Sequence, residues 1–380
     1  VIARHVEEDT MPRIPVCAAV LTAAGQSLRI ETLLLDEPRT GEVLVRTAAA
    51  GLCHSDLHYL TGVLDIPTPA VLGHEVAGVV ESVGDGVRRV KAGDRVVVTI
   101  TPSCGQCASC VSGYATRCER VSELRKRSEP LLTDTAGNAV TSLGAIGAFA
   151  EAVVVPESAL AVVGDLDPIG ACLLGCCIST GVGAVMHGAA VSPADTVAVI
   201  GCGGVGMAII QGARISGASR IIALDVSPGK LELARVLGAS DVLNPTVDNA
   251  RDAVLSIVPG GVTRSFEAVG RPETAELAFS LLAPGGVATV LGLMPPGSRI
   301  GLDAVALIEG DRRIQGAYMG SNRFLADLGP LLEHCRRGSF DLDAMVTSVI
   351  DLERINEGFA AMRGPSSIRT VVSFAEGIAA

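Results

Sequence analysis

The chain has no tryptophan, and only 3% of its 380 residues are aromatic. Its cores must therefore be assembled from Val, Ile, Leu and Ala, without the large buried areas that aromatic rings supply. An excess of basic charge is also missing. Thirty Lys and Arg face 41 Asp and Glu, giving a formal net charge of −11. Such a chain is repelled by a phosphate backbone, and its basic residues form no stripe, so nucleic acid is excluded as a partner. The one short basic run, Arg125, Lys126 and Arg127, is expected to be a solvated loop.

The opening stretch VIARHVEEDT is polar and acidic and lacks the apolar segment of a signal peptide, which predicts a cytoplasmic protein. Met11 suggests that the first ten residues are a loosely ordered extension. Only residues 170–191, GACLLGCCISTGVGAVMHGAAV, imitate a membrane span. That segment is dense in glycine, contains Ser179, Thr180 and His187, and has no flanking basic anchors. A buried helix of small residues is expected there, and no membrane association. Internal repeats and long linkers are absent as well.

What the chain does have is length and apolar content. A chain of 380 residues exceeds one ordinary core and points to two domains, and 48% apolar residues suffice to fill them. The first third reads as strands and turns. Val16–Leu21, Gly41–Thr47, Val76–Val83 and Arg95–Ile100 are separated by turns at Gly84-Asp85-Gly86 and Ala92-Gly93-Asp94, the texture of a β-rich, barrel-like domain. After about residue 178 the pattern becomes alternating. Strand-like runs at 196–200, 220–225, 241–243, 264–267, 287–291 and 312–317 are interleaved with helical candidates at 205–216, 229–237, 250–258 and 272–282. This order predicts an α/β doubly wound parallel sheet. Two further helices (325–337 and 352–362) and a strand (370–374) complete the chain.

Residues 196–225 read TVAVIGCGGVGMAIIQGARISGASRIIALD. Gly201, Gly203 and Gly206 make G-x-G-x-x-G directly after an apolar strand, a helix pattern follows, and a second strand ends in Asp225. In that context the motif is a strong sign of a dinucleotide site. Gly201 permits the tight turn, Gly203 lets backbone N–H groups approach a pyrophosphate, and Gly206 allows close packing of helix on strand. Asp225 can accept hydrogen bonds from both ribose hydroxyls, and its charge repels a 2′-phosphate, so NAD(H) is favoured over NADP(H). Lys230 stands close enough in sequence to add a ribose contact.

Cysteine is plentiful, at eleven residues. A long chain without a leader makes metal ligands and buried thiols a better reading than disulfides. Cys104, Cys107, Cys110 and Cys118 lie on one loop with the spacing C-x2-C-x2-C-x7-C. Four thiolates close a zinc site and leave no position for substrate, so this set is structural. The loop also lacks the basic and aromatic residues of a nucleic-acid module. The stretches GLCHSDLHYLTG, VLGHEVAG and LLGCCISTGVG scatter further candidates. Cys53, His74 and a cysteine of the 176–177 pair supply two thiolates and an imidazole from three separate turns, which suits a catalytic zinc with an open fourth position. Cys17, Cys172, Cys202 and Cys335 find no partner in these motifs and are expected to be buried free thiols.

Taken together, G-H-E at 73–75, the four-cysteine loop, G-C-x-x-S-T-G at 175–181, G-x-G-G-V-G at 201–206 and S-I-R-T at 367–370 resemble the medium-chain, zinc-dependent alcohol dehydrogenases over nearly the whole chain. The resemblance implies a GroES-like catalytic domain from 1–177 and 320–380, with a zinc lobe at about 103–119, and a Rossmann coenzyme domain from 178–319. It implies two zinc ions per chain. Cys53, His74 and Cys176 would hold the catalytic ion, the motif register selecting Cys176 over Cys177. Cys104, Cys107, Cys110 and Cys118 would hold the structural one. Ser55 and His58 would form a proton relay, Asp56 would steady His74, and Glu75 would stand behind the metal. His54, Thr180, Gly204, Val205 and Arg369 would join the glycines, Asp225 and Lys230 in contacting NAD.

The same resemblance places Ile100 and the stretch 57–69 at the substrate pocket. It predicts primary alcohols and aldehydes, bulky or aromatic ones included. The long spacer between Cys118 and Cys176 points to a homodimer. A glutathione-adduct formaldehyde dehydrogenase, a dehydrogenase that retains its NAD through turnover, and a non-catalytic NAD sensor are the rival readings. A polyol dehydrogenase is disfavoured by the cysteine at 176.

Overall fold

The computed structural model describes residues 13–247, 249–362, 364 and 367–374. The extension expected over the first ten residues lies outside them. Three sheets organise the chain. Five strands close a barrel, in which Arg13–Leu21 pairs with Arg29–Asp36 and with Ala70–Val71, and Leu132–Thr133 and Ala139–Ser142 complete the circuit. Beside it lies a seven-stranded sheet centred on Glu42–Gly51, which pairs with Glu75–Val83, with Ala152–Pro156 and with Thr370–Ser373. The last strand of the chain thus returns to the first half. The third sheet has six strands, all parallel, in the spatial order 241–243, 220–224, 196–200, 262–267, 282–290, 313–316. This is the doubly wound order, whose sequence direction reverses beside Thr196–Ile200 and opens a crevice at the strand C-termini.

The apolar composition explains how these layers join. Strands of a parallel sheet are covered on both faces and need no polar alternation. In Thr196–Ile200, Val197 and Val199 belong to one buried cluster, and Ala198 and Ile200 to another. The first of these clusters also holds Ala49, Ala77 and Val97 from the seven-stranded sheet. A single apolar layer therefore welds the two sheets, and the crevice opens over it.

The segment that imitates a membrane span lies within that layer. Among the described residues no single helix is long and apolar enough to cross a membrane. The stretch instead forms a pair of helical pieces, Pro168–Gly175 and Cys177–Gly188, bent by 54°. It is largely buried. The continuous helix expected there is broken at Cys176, whose backbone (φ −140°, ψ −83°) is not helical. Small residues let it pack closely. A side chain at Gly181 would strike Ala208 and the Val205 carbonyl of the neighbouring helix Gly204–Ile215.

Other differences from the sequence reading have local causes. Strand Arg29–Asp36 is exposed at its first half and runs three leucines together in its second, so it shows no strand-like alternation. Helix Ala304–Glu309 has no buried residue, so no amphipathic period marks it. The basic run is not simply solvated. The Arg127 side chain is 9% exposed and pairs with Asp36 and Glu42, and half-buried Arg125 donates to the Ile100 carbonyl. Of the four spare thiols, Cys172 and Cys202 are buried as expected, whereas Cys17 and Cys335 are only partly so.

Candidate active site

The ligand atoms of Cys53, His74 and Cys176 lie within 4.8 Å of one another, all three residues buried. Each sits where a regular element begins or breaks. Cys53 caps the helix His54–Leu60, His74 directly precedes strand Glu75–Val83, and Cys176 occupies the break just described. Asp56 holds the first two in place. Its carboxylate accepts from the backbone N–H of Cys53 and of Gly73, both at 3.0 Å, and contacts His74 Nδ1 at 3.1 Å. A carboxylate used as an acceptor in this way makes Nδ1 the donor and leaves Nε2 as the free ligand atom.

The electrostatics set the three groups apart. A hydrogen bond from the Cys176 thiol, helped by Arg369 and His74, holds Cys53 well below the usual thiol range against the opposing effect of burial. The same bond, followed by burial, raises Cys176. Burial opposes charge on His74, but Asp56 and Cys53 outweigh it and raise its pKa well above the ordinary imidazole value. Two sulfurs and one imidazole, converging with the second ring nitrogen already tied, are the donor set of a catalytic zinc.

Behind this cluster lies a buried ion pair. Glu75 Oε1 accepts from the Cys177 N–H at 3.2 Å, while Oε2 stands 3.5 Å from Arg369 Nε and has no hydrogen bond of its own. Arg369 Nη2 donates to Cys53 Sγ at 3.8 Å. On its other side the guanidinium lies under the glycine loop, where a side chain on Gly204 would collide with it. Burial raises the Glu75 pKa, and Arg369 opposes that rise.

A cleft of about 800 Å³ joins these donors to the glycine loop. Its lining includes Cys53, His54, Ser55, His58, Cys176, Thr180, Gly201, Gly203, Gly204, Val205, Asp225, Lys230 and Arg369. Gly206 lies beneath the lining, and a side chain there would overlap the Gly201 carbonyl. Gly201 takes a left-handed backbone (φ 92°) that suits glycine. Asp225 uses one oxygen to accept from Cys202 N at 2.7 Å and the other from Ser227 N at 2.8 Å, which fixes the carboxylate at the strand end. Ser55 Oγ is 3.7 Å from Cys53 Sγ, and His58 follows one helical turn later. His54 is open to solvent in the cleft, yet the crowding of its walls and the charge of Arg369 keep its pKa below the ordinary value.

Cys104, Cys107, Cys110 and Cys118 also bring their sulfurs within 4.8 Å of one another, on a separate lobe. The backbone N–H groups of Cys104 and Cys107 donate to the sulfurs of Cys118 and Cys104, each at 3.3 Å. Backbone donors at Gln106 and Cys107 lower Cys104 to about 6, whereas burial and the neighbouring sulfurs push Cys110 up to about 12. This donor set fits a closed structural zinc.

Two sequence readings fail here. Ile100 does not line the cleft and packs against the barrel core, and of residues 57–69 only His58 reaches the lining. In their place the cleft is walled by Ala268, Val269, Val290–Leu293 and Gly316–Met319. These residues follow or end the strands 262–267, 282–290 and 313–316, so the rule that ligands bind at strand C-termini was the signal that could have found them. Arg117 also lines the cleft and had no such signal, because it comes from the four-cysteine lobe.

Comparison with known proteins agrees with this geometry. Residues 39–165 match the alcohol dehydrogenase GroES-like domain, and residues 204–334 match the zinc-binding dehydrogenase domain. The chain is similar to an alcohol dehydrogenase zinc-binding domain protein from Burkholderia ambifaria, with 35% identity and a TM-score of 0.90 over 95% of this chain and 99% of that one. It is also similar to benzyl alcohol dehydrogenase from Acinetobacter calcoaceticus, with 30% identity and a TM-score of 0.87 over the same shares. An alcohol dehydrogenase from Thermus sp. ATN1 is 28% identical, with a TM-score of 0.79 over 94% of this chain and 99% of that one. The chain belongs to the medium-chain, zinc-dependent dehydrogenases, a family of oxidoreductases.

Because Asp56 orients His74, Asp56→Asn is expected to weaken metal retention at the three-donor site about 10- to 100-fold. The measurement is the rate of zinc loss to a chelator, with the four-cysteine ion retained as an internal reference. Equal rates in both proteins would remove Asp56 from that role.

Proposed function

We propose that the protein is an NAD-linked, zinc-dependent alcohol dehydrogenase that interconverts primary alcohols and aldehydes, bulky or aromatic ones included. The observation that carries this reading is the convergence of Cys53, His74 and Cys176 in the same cleft as the glycine loop and Asp225. Residues 1–177 and 320–380 are assigned to the substrate half and 178–319 to the coenzyme half. The return of Thr370–Ser373 to the seven-stranded sheet supports that division. The apolar side chains of Val290, Leu291, Leu293, Tyr318 and Met319 on the cleft wall suit a large carbon skeleton. Similarity to a benzyl alcohol dehydrogenase points the same way.

When bound, zinc supplies Lewis-acid polarisation of the substrate oxygen, and the nicotinamide ring takes up the hydride. The residues of this chain hold and position. Cys53, His74 and Cys176 hold the catalytic ion, with Asp56 fixing the tautomer of His74. Cys104, Cys107, Cys110 and Cys118 hold the structural ion. Ser55 Oγ would take the substrate hydroxyl proton as it gives up its own, and His58, half-buried three residues later on the same helix, would complete the route to solvent. The N–H groups at the start of helix Gly204–Ile215 would receive the pyrophosphate. Arg369, His54 and Thr180, which line the cleft beside that helix, would hold it, and Asp225 and Lys230 would hold the ribose.

A homodimer is proposed through the coenzyme sheet. Strand Arg313–Gly316 is an edge strand, and Val305 and Ile308 on the adjoining helix are 60% and 73% exposed. An unpaired edge beside exposed apolar side chains suits pairing with a second copy.

Three measurements test these readings. Cys53→Ser is expected to nearly abolish benzyl alcohol oxidation while NADH binding, read by fluorescence, survives; full activity in a zinc-free variant would refute the mechanism. Asp225→Gly is expected to shift the NAD/NADP preference toward NADP by roughly tenfold, equivalent to about 1.4 kcal/mol. An unchanged ratio would show that Asp225 is not the selector. Light scattering on a size-exclusion column is expected to give twice the chain mass, and a tetramer would overturn the dimer.

A further inference from the structure

The mouth of the cleft carries a positive charge for which the proposed chemistry has no use. Arg117 lines the cleft although it belongs to the four-cysteine lobe. Its backbone is fixed. It closes the 3-10 turn Ala115–Arg117, its N–H donates to the Tyr114 carbonyl at 3.0 Å, and the next residue is Cys118 of the sulfur cluster. The turn packs against Tyr318–Ser321, whose Tyr318 and Met319 line the same cleft. A rigid lobe therefore delivers a long cationic side chain to the opening.

That cation is not neutralised by its surroundings. Among the described residues, the partner of its guanidinium is the Tyr114 ring, 5.2 Å from the centroid. The acids of the lobe are engaged elsewhere. Glu119 accepts from the backbone and hydroxyl of Ser109, and Glu123 pairs with Arg120. Asp225, the acid on the cleft wall, is at the dinucleotide end and occupied by two backbone donors. Two further guanidinium groups flank the same segment, and both rest on neutral oxygens. Arg125 donates to the Ile100 carbonyl, and Arg323 donates to the Gly113 carbonyl at 3.1 Å. In a chain of net charge −11, three guanidinium groups thus gather on and beside the lobe, and the one that lines the cleft, Arg117, carries no acidic partner among the described residues.

We propose that Arg117 is a specificity-determining residue that recognises a carboxylate on the alcohol or aldehyde, at the end remote from the reacting carbon. This rests on the dehydrogenase reading above. A guanidinium presents paired donors that match the two oxygens of a carboxylate. The side chains of Leu293, Tyr318 and Met319 on the same wall accommodate the carbon skeleton between the two ends. The substrate class is thus an acid that also carries a primary alcohol or aldehyde.

The test compares 4-(hydroxymethyl)benzoate with its methyl ester, using the zinc-loaded protein and NAD. The acid is expected to be favoured in kcat/KM by about tenfold at low salt, and the preference to shrink as salt is added. Arg117→Gln is expected to abolish the preference by raising KM for the acid, and Arg117→Lys to restore it in part. The same ratio in wild type and Arg117→Gln overturns the proposal while alcohol oxidation stands. Calorimetry with benzoate gives a reading independent of turnover. Binding weakened about tenfold in Arg117→Gln supports the site, and equal binding overturns it. Turnover of neither substrate, together with Arg117-dependent benzoate binding, would defeat the dehydrogenase reading and uphold the anion site.

Discussion

The buried guanidinium of Arg369 is the constraint around which the two halves of the molecule are arranged. A charge fully withdrawn from water is costly unless other groups compensate it. Here Glu75 and Cys53 do so from one side, while the glycine loop closes over the other. Each partner comes from a different part of the chain. Glu75 opens a strand of the seven-stranded sheet, Cys53 caps the first helix, and Arg369 precedes the final strand. The loop belongs to the parallel sheet. One ion thereby ties the Cys53, His74 and Cys176 cluster to the glycine turn. Any shift in one is felt by the other, as the proposed transfer from substrate to coenzyme requires.

The poverty in aromatic residues has a structural counterpart. Large rings fill space between layers and hold them apart. Ala, Val and Gly let them close. The layer that joins the two sheets contains Ala49, Ala77, Ala171 and Ala208, and its central helix carries Gly181 and Gly183. A side chain at Gly183 would meet Asn322, and one at Gly181 would meet Ala208. The segment 318–322 is thereby drawn against the helix that begins at Cys177. Met319, in a left-handed conformation, then brings its sulfur within 3.7 Å of the Thr180 hydroxyl on the cleft wall. Close packing in the core and the shape of the cleft are one and the same feature.

The two sulfur sites illustrate a division of labour that follows from ligand number alone. Four thiol groups on a short, exposed loop bind tightly and leave nothing over. Three donors, gathered from distant turns and supported by Asp56 and Glu75, leave a position open. The lobe is more than a staple, however. Its last turn carries Arg117 into the cleft, so an ion held by the four sulfurs would order part of the cleft wall as well.

Much of this was legible in the residues themselves. The glycine spacing with its strand, helix and terminal Asp225 pointed to a dinucleotide turn, and the left-handed Gly201 and tightly packed Gly206 leave no room for a side chain there. The cysteine spacing specified a closed metal site, because a short loop can fold its own ligands onto one ion. These signals are local, and local chemistry is written in order along a chain. What only the tertiary structure decided was everything that depends on distant segments meeting. Cys176 breaks a helix that apolar content alone would have continued. Arg127 leaves solvent to pair with Asp36 and Glu42, 91 and 85 residues earlier. Ile100 turns into the barrel core rather than the cleft, and Arg117 takes a place on the cleft wall. No periodicity encodes such placements, because they are set by the packing of one sheet on another.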